Sequence, residues 1–308
     1  MLADGRRKNG NFRAVVQAAD RRSARESDGG TRRTCHRQRI QRQGAFGTAD
    51  LGQFRYAYRI ASLPSLAVVV ICSHVLFPAF SRISGDSSRF RAAFLRALGW
   101  IWFAALPVGA LSIVVGQPVV VLLLGEEWRS AGAATAAMSG IGLGVALCSA
   151  TAEAMKGAGR SSLLNWMTAL SLVLGLPLIV LLLPFGLVGV GIALSATYLV
   201  VGFVSVELAR SVVGTSRRET VACLWPTTLS AVVAFAVLLP LERLVVRSDH
   251  YPALPGLAWI FGECMLFLLV YIGALRLTSP SRYRSVRDVV GRTVAKVTAP
   301  ARRLMSPS

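Results

Sequence analysis

Long apolar runs separated by short charged loops occupy the chain from about residue 60 to residue 275. A helix needs about twenty predominantly apolar residues to cross a hydrocarbon core of roughly 30 Å. Runs of about that length lie at residues 60–80, 97–124, 131–152, 163–183, 187–206, 221–240 and 257–275. The pattern therefore predicts an all-α membrane protein, a polytopic bundle of about seven transmembrane helices within residues 47–278.

The composition supports the membrane class. Hydrophobic residues make up 54% of the chain and charged residues only 16%, with a mean hydropathy of +0.55, whereas a soluble domain carries about 25% charged residues. The formal net charge is +19, but the positive residues lie in both terminal segments and in alternate loops. That distribution orients a membrane protein and does not indicate nucleic-acid binding. The scattered cysteines and histidines predict no disulfide framework, metal site or cofactor.

The loop charges predict an orientation. With seven crossings, loops one, three and five lie on the same side as the C-terminal tail, and together they hold nine Lys or Arg residues, against three in the other loops. By the positive-inside rule, the C-terminus is cytoplasmic and residue 52 lies on the outer side. Residues 279–308 are then a basic cytoplasmic tail. It is either solvated or an amphipathic helix on the inner leaflet, with an apolar face made of Tyr283, Val286, Val290, Val294 and Val297.

Residues 1–46 form a basic leader with one short apolar patch. Such a segment buries too little apolar surface to offset its ordering entropy, so we expect it to be disordered or artefactual. A basic arm for anionic lipid or nucleic acid is the alternative. The twelve Lys and Arg residues of the leader conflict with an outer location. We therefore expect that residues 1 to about 43 come from a wrong reading frame or a misplaced start.

Ionisable residues at the ends of the apolar runs are the first candidates for function, because a charge at the centre of a bilayer costs about 2.5–3.5 kcal/mol on insertion scales. Arg55 and Arg59 lie one helical turn apart at the entrance of the first run, where they either hold an anionic group or extend to the interface. Glu153, Lys156 and Arg160 end the third run. Their spacing predicts one helical face that lines a polar vestibule or caps the helix.

Two further candidates lie inside apolar runs. His74 is either a proton-coupling residue or a hydrogen-bonded packing residue. Glu263 is the one carboxylate deep inside a run, and it is either a protonated packing residue or a proton or cation relay. With Glu153, these two residues are the candidates for proton or cation coupling. The sequence has no hydrolase elbow, P-loop or dinucleotide fingerprint, so we predict that the chain is not an enzyme.

Four motifs, taken in order, resemble the C-terminal half of the bacterial oligosaccharide (polysaccharide repeat-unit) flippases of the multidrug/oligosaccharidyl-lipid/polysaccharide exporter superfamily. The family pattern has a Leu-Gly-x-Tyr-x-x-Ala-x-Arg opening, a Leu-Phe-Pro-x-x-Ser-Arg close, a Gly-x-x-Trp and an Ala-x-Gly-Arg turn. Phe54 replaces the usual tyrosine. The similarity covers about residues 44–280. The residues that correspond to the four motifs are Leu51, Gly52, Phe54, Ala57 and Arg59; Leu76, Phe77, Pro78, Ser81 and Arg82; Gly125 and Trp128; and Ala158, Gly159 and Arg160.

This resemblance implies a transporter of the bacterial cytoplasmic (inner) membrane. It would move undecaprenyl-diphosphate-linked oligosaccharide repeat units to the outer leaflet for exopolysaccharide, capsule or O-antigen (lipopolysaccharide) biosynthesis. Such flippases have two bundles around a central, often cationic cavity with alternating access. The candidates for attracting the diphosphate are Arg55, Arg59, Lys156 and Arg160. A polysaccharide polymerase and a chain-length regulator are further implied partners.

The resemblance also implies that about half of the transporter is missing upstream. The chain would then act only by pairing with another half or as a homodimer. An inactive, non-transporting remnant or a multispan interaction protein is the main alternative. A membrane-embedded polysaccharide polymerase is less favoured, because such enzymes need a large polar loop and the longest loop between predicted spans, at 242–256, is short.

Overall fold

The computed structural model describes residues 48–246 and 252–288. Residues up to Leu51 group apart from Gly52–Ser308, and the helical bundle lies in the second of these two units. The expected leader and the tail beyond residue 288 lie outside the described residues. All regular elements within the described ranges are helical, which confirms the all-α prediction.

The helices follow one another with short connections. In chain order they are α1 (Thr48–Ile71), α2 (Phe77–Ile83), α3 (Ser87–Leu124), α4 (Arg129–Ala137), α5 (Ser139–Gly157), α6 (Ser162–Leu182), α7 (Gly186–Val213), α8 (Arg217–Pro240) and α9 (Ala253–Thr278). A π-helical turn, Cys72–Leu76, joins α1 to α2, and another, Leu241–Val246, follows α8. Residues 280–288 are also helical.

Five of the described segments are long and apolar enough to cross a membrane: Ser87–Leu124, Glu126–Gly157, Ser162–Val213, Arg217–Arg243 and Pro255–Thr278. The third contains two predicted runs, because α6 and α7 fold back on each other at Gly186, whose φ of 68° lies in the left-handed region. The first predicted run is helical but is not among the five. The membrane class is therefore confirmed, and the count of seven spans is not.

Helix α3 begins well before the predicted run at residue 97. Its N-cap is Asp86, whose carboxylate accepts hydrogen bonds from the backbone N–H groups of Ser88 at 3.0 Å and Arg89 at 3.1 Å. These hydrogen bonds lower the pKa of Asp86. The bond from the Arg89 N–H has the largest effect, and the bond from the Ser88 hydroxyl has the next largest. This cap satisfies backbone donors that would otherwise be unpaired, so the helix includes a basic first stretch that hydropathy alone assigns to a loop.

The basic residues collect at one end of the bundle. Arg91 near the start of α3 pairs with Glu219 near the start of α8, and Arg217 pairs with Glu207 near the end of α7 at 2.7 Å. Gly157, at the end of α5, packs against Phe80 of α2, so loop three lies at the same end. Loops one, three and five, grouped by their charges in the sequence, therefore lie together. We call this the basic end of the bundle. The side of the membrane that it faces stays a prediction.

Helices α5 and α7 pack with their backbones in close contact. A Cβ built at Gly144 would overlap the backbone of Tyr198, and one built at Gly202 would lie 3.1 Å from the Gly144 carbonyl. Thr151 donates a hydrogen bond to the Ser205 hydroxyl at 2.9 Å between the same helices. Since lipid supplies no hydrophobic force between helices, close packing and such interhelical bonds hold them together.

Aromatic residues attach α8 and α9 to α3. Tyr271 of α9 stacks on Phe103 with ring centroids 5.4 Å apart, and its hydroxyl donates to the Phe103 carbonyl at 3.0 Å. The Trp102 indole donates to the Thr228 hydroxyl of α8 at 2.8 Å. Each buried aromatic polar group therefore has a partner, as expected for a ring held inside an apolar bundle.

The packing of α5 on α7 gives a first prediction. Gly144→Ala should lower the melting temperature of the purified chain in detergent by several degrees, because overpacking costs about 1–3 kcal/mol. Tryptophan fluorescence during heating measures the change. Gly262→Ala in α9 is the matched control: its Cβ would meet nothing within 4 Å, and alanine favours a helix over glycine. Equal melting temperatures for the two variants would contradict the close approach.

Candidate functional site

The start of α1 packs against the turn that follows α3. The Gln53 side-chain amide donates to the backbone carbonyl of Glu127 at 3.1 Å and accepts from the Ser130 hydroxyl. The ring of Tyr56 meets the ring of Trp128 edge-on, with centroids 5.2 Å apart. The opening motif and the Gly-x-x-Trp motif, about 74 positions apart, therefore form one structural unit. Nothing in the sequence indicates this contact.

Arg55 and Arg59 lie on this part of α1. Both are exposed, while Ala57 between them is fully buried. Their spacing places the two guanidinium groups on one face of the helix. No carboxylate of residues 48–246 or 252–288 forms a salt bridge with either group. Two such cations side by side suit a phosphate or diphosphate, which accepts charge-assisted hydrogen bonds from arginine.

His74 lies in the π-helical turn between α1 and α2. Its ring is exposed, and Nδ1–H donates to the carbonyl of Val70 at 2.9 Å. This bond is made to its own helix, so His74 is hydrogen-bonded but is not buried in a helix–helix contact.

Glu153 and Lys156 form an ion pair at the end of α5. The Lys156 ammonium lies 2.9 Å from a Glu153 carboxylate oxygen, and the Glu153 side chain is 6% exposed against 39% for the lysine. Helix α5 ends at Gly157, and Gly159 has a φ of 74°. The chain therefore turns away before Arg160, which is exposed. The prediction of one shared helical face is wrong for Arg160, because a left-handed glycine ends the helix first.

Glu263 of α9 is buried, with 3% of its surface exposed. Neither carboxylate oxygen has a hydrogen-bond partner among the described residues. Glu242, in the turn after α8, is buried as well and is close enough to interact with Glu263. Two carboxyl groups this close repel each other when both are ionised. The structure therefore brings two buried carboxyl groups together between α8 and α9.

Sequence reasoning missed Glu242. It was assigned to the loop at 242–256, whereas the structure continues in helical turns through Leu241–Val246. The sequence does indicate burial at this position, since Glu242 lies just after an apolar run and apolar residues continue at 244–246. A carboxylate between two apolar stretches is a candidate for burial.

The four predicted substrate-binding cations do not meet at one place. Arg55 and Arg59 lie beside the turn after α3, whereas Lys156 and Arg160 lie at the basic end, where Phe80 packs on Gly157. The helical path from Arg55 to Phe80 alone rises roughly 37 Å at 1.5 Å per residue. The two pairs are therefore separated by about the thickness of a membrane.

The apolar helices with their charged ends define a polytopic helical membrane protein. The solved structure described as "Lipid II flippase MurJ, inward closed conformation" matches with a TM-score of 0.59 and 16% identity, covering 78% of this chain and 49% of that chain. At this identity the likeness shows the fold alone.

Sequence comparisons extend the assignment. The profile of the family described as "Polysaccharide biosynthesis protein" matches residues 44–133. The chain is 32% identical over 84 residues to the lipopolysaccharide biosynthesis protein WzxC of Escherichia coli (strain K12), which is 27% of this chain and 17% of WzxC. It is 23% identical over 235 residues to the teichuronic acid biosynthesis protein TuaB of Bacillus subtilis (strain 168), which is 73% of this chain and 47% of TuaB.

These similarities confirm the resemblance to polysaccharide repeat-unit flippases. The chain spans less than half the length of the curated relatives that it matches.

The buried acid pair gives a second prediction. At pH 8 in detergent, Glu263→Gln should melt at a higher temperature than the native chain, because glutamine keeps the shape of the side chain and removes a negative charge beside Glu242. The difference should shrink at pH 5, where protonation removes the repulsion. Glu127→Gln, at an exposed position, is the control and should show no such dependence. A Glu263→Gln variant that is less stable at both pH values would contradict the repulsion.

Proposed function

We propose that the chain is one bundle of a transporter that moves lipid-linked oligosaccharide repeat units across the bacterial cytoplasmic membrane, and that it is not an enzyme. The observation that carries this proposal is the flippase-like fold, which matches about half of the MurJ flippase. Relatives named for lipopolysaccharide and teichuronic acid biosynthesis support the substrate class. A second bundle, from another half or a second copy, completes the transport path.

We propose undecaprenyl-diphosphate-linked sugar as the cargo, and Arg55 and Arg59 as the residues that attract its diphosphate. Two observations support this role. Both side chains are exposed on one face of α1, and neither forms a salt bridge with a carboxylate of the described residues. Lys156 and Arg160 lie at the other end of the bundle, where they serve the opposite membrane surface. A diphosphate that crosses the membrane can therefore meet the arginine pair of α1 at one end of its path and exposed cations, of which Lys156 is paired with Glu153, at the other.

We propose Glu263 as the coupling residue, with Glu242 beside it. Of the three coupling candidates, Glu153 is compensated by Lys156 and His74 is exposed, so only Glu263 combines burial with unsatisfied carboxylate oxygens. Binding or loss of a proton or cation changes the repulsion between α8 and α9. That change can favour one packing of these helices over another, as alternating access requires.

We also propose that the basic end faces the cytoplasm and that residue 52 lies on the outer side. The positive-inside rule supports this orientation, because the Lys and Arg residues of loops one, three and five collect at one end. A polysaccharide polymerase and a chain-length regulator are proposed partners on the basis of the pathway alone.

The test of function is complementation in a Bacillus subtilis strain that lacks TuaB. The chain is expressed alone and as a fusion behind the upstream half of TuaB, and teichuronic acid at the cell surface is measured. The fusion should restore it. Restoration by the chain alone would show that two copies suffice. Failure of both proteins, each present in the membrane, would contradict transport and favour a non-transporting multispan interaction protein.

The same assay tests the arginines of α1. In the fusion, Arg55→Gln combined with Arg59→Gln should slow the appearance of surface polysaccharide by about tenfold or more, because each lost hydrogen bond to a charged group is worth about 1.5–3 kcal/mol. Arg89→Gln combined with Arg284→Gln removes two exposed arginines at the basic end and should have little effect. Equal rates for both double variants would contradict the role of Arg55 and Arg59.

A further inference from the structure

A cleft opens at the basic end between α3, α8 and the helical residues 280–288. Its volume is about 160 Å³, enough for a few water molecules or one phosphate group, since liquid water occupies about 30 Å³ per molecule. The polar and aromatic residues that line it are Arg96, Trp100, Phe103, Thr227, Arg282 and Ser285. None of these residues belongs to the sites described above.

The charge in this cleft is not balanced. Other arginines at the basic end are neutralised by carboxylates: Arg91 pairs with Glu219, and Arg217 pairs with Glu207. Arg96 and Arg282 have no salt bridge with any carboxylate in the described part of the chain. The cleft therefore carries two positive charges that an anion can neutralise.

Arg282 is held in position by its surroundings. Its guanidinium donates to the Cys223 sulfur at 3.1 Å. It also lies against Gly99, where an added Cβ would come within 3.2 Å of both terminal nitrogens. A freely moving surface arginine makes no such contacts. Only one of its five N–H donors is used by the thiol, so the remaining donors are available for a ligand.

The walls of the cleft suit an amphipathic ligand. Trp100 and Phe103 pack edge-on with ring centroids 5.8 Å apart, and Leu95 and Val286 add aliphatic surface. A tryptophan beside cations is typical of the headgroup layer of a membrane. Glycerophospholipids offer a phosphate for the arginines and an acyl chain for the apolar wall.

We propose that this cleft binds the phosphate group of an anionic phospholipid, and that the lipid joins residues 280–288 to α3 and α8. The site lies at the opposite end of the bundle from Arg55 and Arg59, and it serves attachment of the C-terminal segment and not transport. The half-buried face of Arg282, Tyr283 and Val286 turns toward the bundle at this place. The lipid phosphate bridges the two guanidinium groups from the open side.

The test is lipid-dependent thermal stability of the full chain in detergent. Phosphatidylglycerol, phosphatidylcholine and inorganic phosphate are each titrated at matched concentrations. Phosphatidylglycerol should raise the melting temperature saturably, and phosphatidylcholine and inorganic phosphate should do so weakly. Arg96→Gln should raise the phosphatidylglycerol concentration that gives half-maximal stabilisation by about tenfold or more. Arg96→Gln combined with Arg282→Gln should raise it by at least as much. Arg96→Gln alone keeps the contact between Arg282 and Cys223, so it tests the site even when the double variant does not fold.

Arg89→Gln combined with Arg284→Gln is the matched control. It removes one arginine from α3 and one from residues 280–288, both outside the cleft. Phosphatidylglycerol should raise its melting temperature as it does for the native chain. An equal loss of response in both double variants would overturn the proposal, because it would show only nonspecific attraction to a basic surface. A response of Arg96→Gln that equals the native one would overturn it too. Saturable stabilisation by inorganic phosphate as strong as that by phosphatidylglycerol would overturn the lipid as the ligand.

Discussion

The close approach of α5 and α7 is the contact on which the other helices depend. Gly144 and Gly202 allow the two backbones to meet, and the interhelical Thr151–Ser205 hydrogen bond lies farther along the same interface. Helix α3 packs on α5, while α4 and α6 pack on α7. Helices α8 and α9 attach through α3. In lipid, where burial of apolar surface gives no advantage, small residues that permit such contact are what specify one arrangement of helices.

This arrangement separates the polar groups by function. Under the proposed function, exposed cationic side chains lie near both membrane surfaces, and the buried acids Glu242 and Glu263 lie between α8 and α9. Because those two helices contact the rest of the bundle mainly through α3, they can shift without disturbing the α5–α7 interface. In the proposed mechanism, a proton or cation at the acid pair therefore acts on the more loosely attached part of the bundle.

The apolar runs predicted the helices and their class well, because length and hydropathy alone decide whether a segment fits a bilayer. They predicted helix ends poorly. Asp86 begins α3 in a basic stretch, and Gly159 ends the helical path before Arg160, so capping and turn chemistry decided both. The contact of Tyr56 with Trp128 depends on tertiary packing and has no signal in one sequence.

Cysteine accessibility can determine which membrane surface each end of the bundle faces. Glu127→Cys and Arg284→Cys are introduced singly into a chain whose five native cysteines are replaced by serine or alanine. A membrane-impermeant maleimide is then applied to spheroplasts before and after permeabilisation. In the proposed orientation, Glu127→Cys is labelled in intact spheroplasts and Arg284→Cys is labelled only after permeabilisation. Labelling of both positions from outside, or the reverse order, would contradict it.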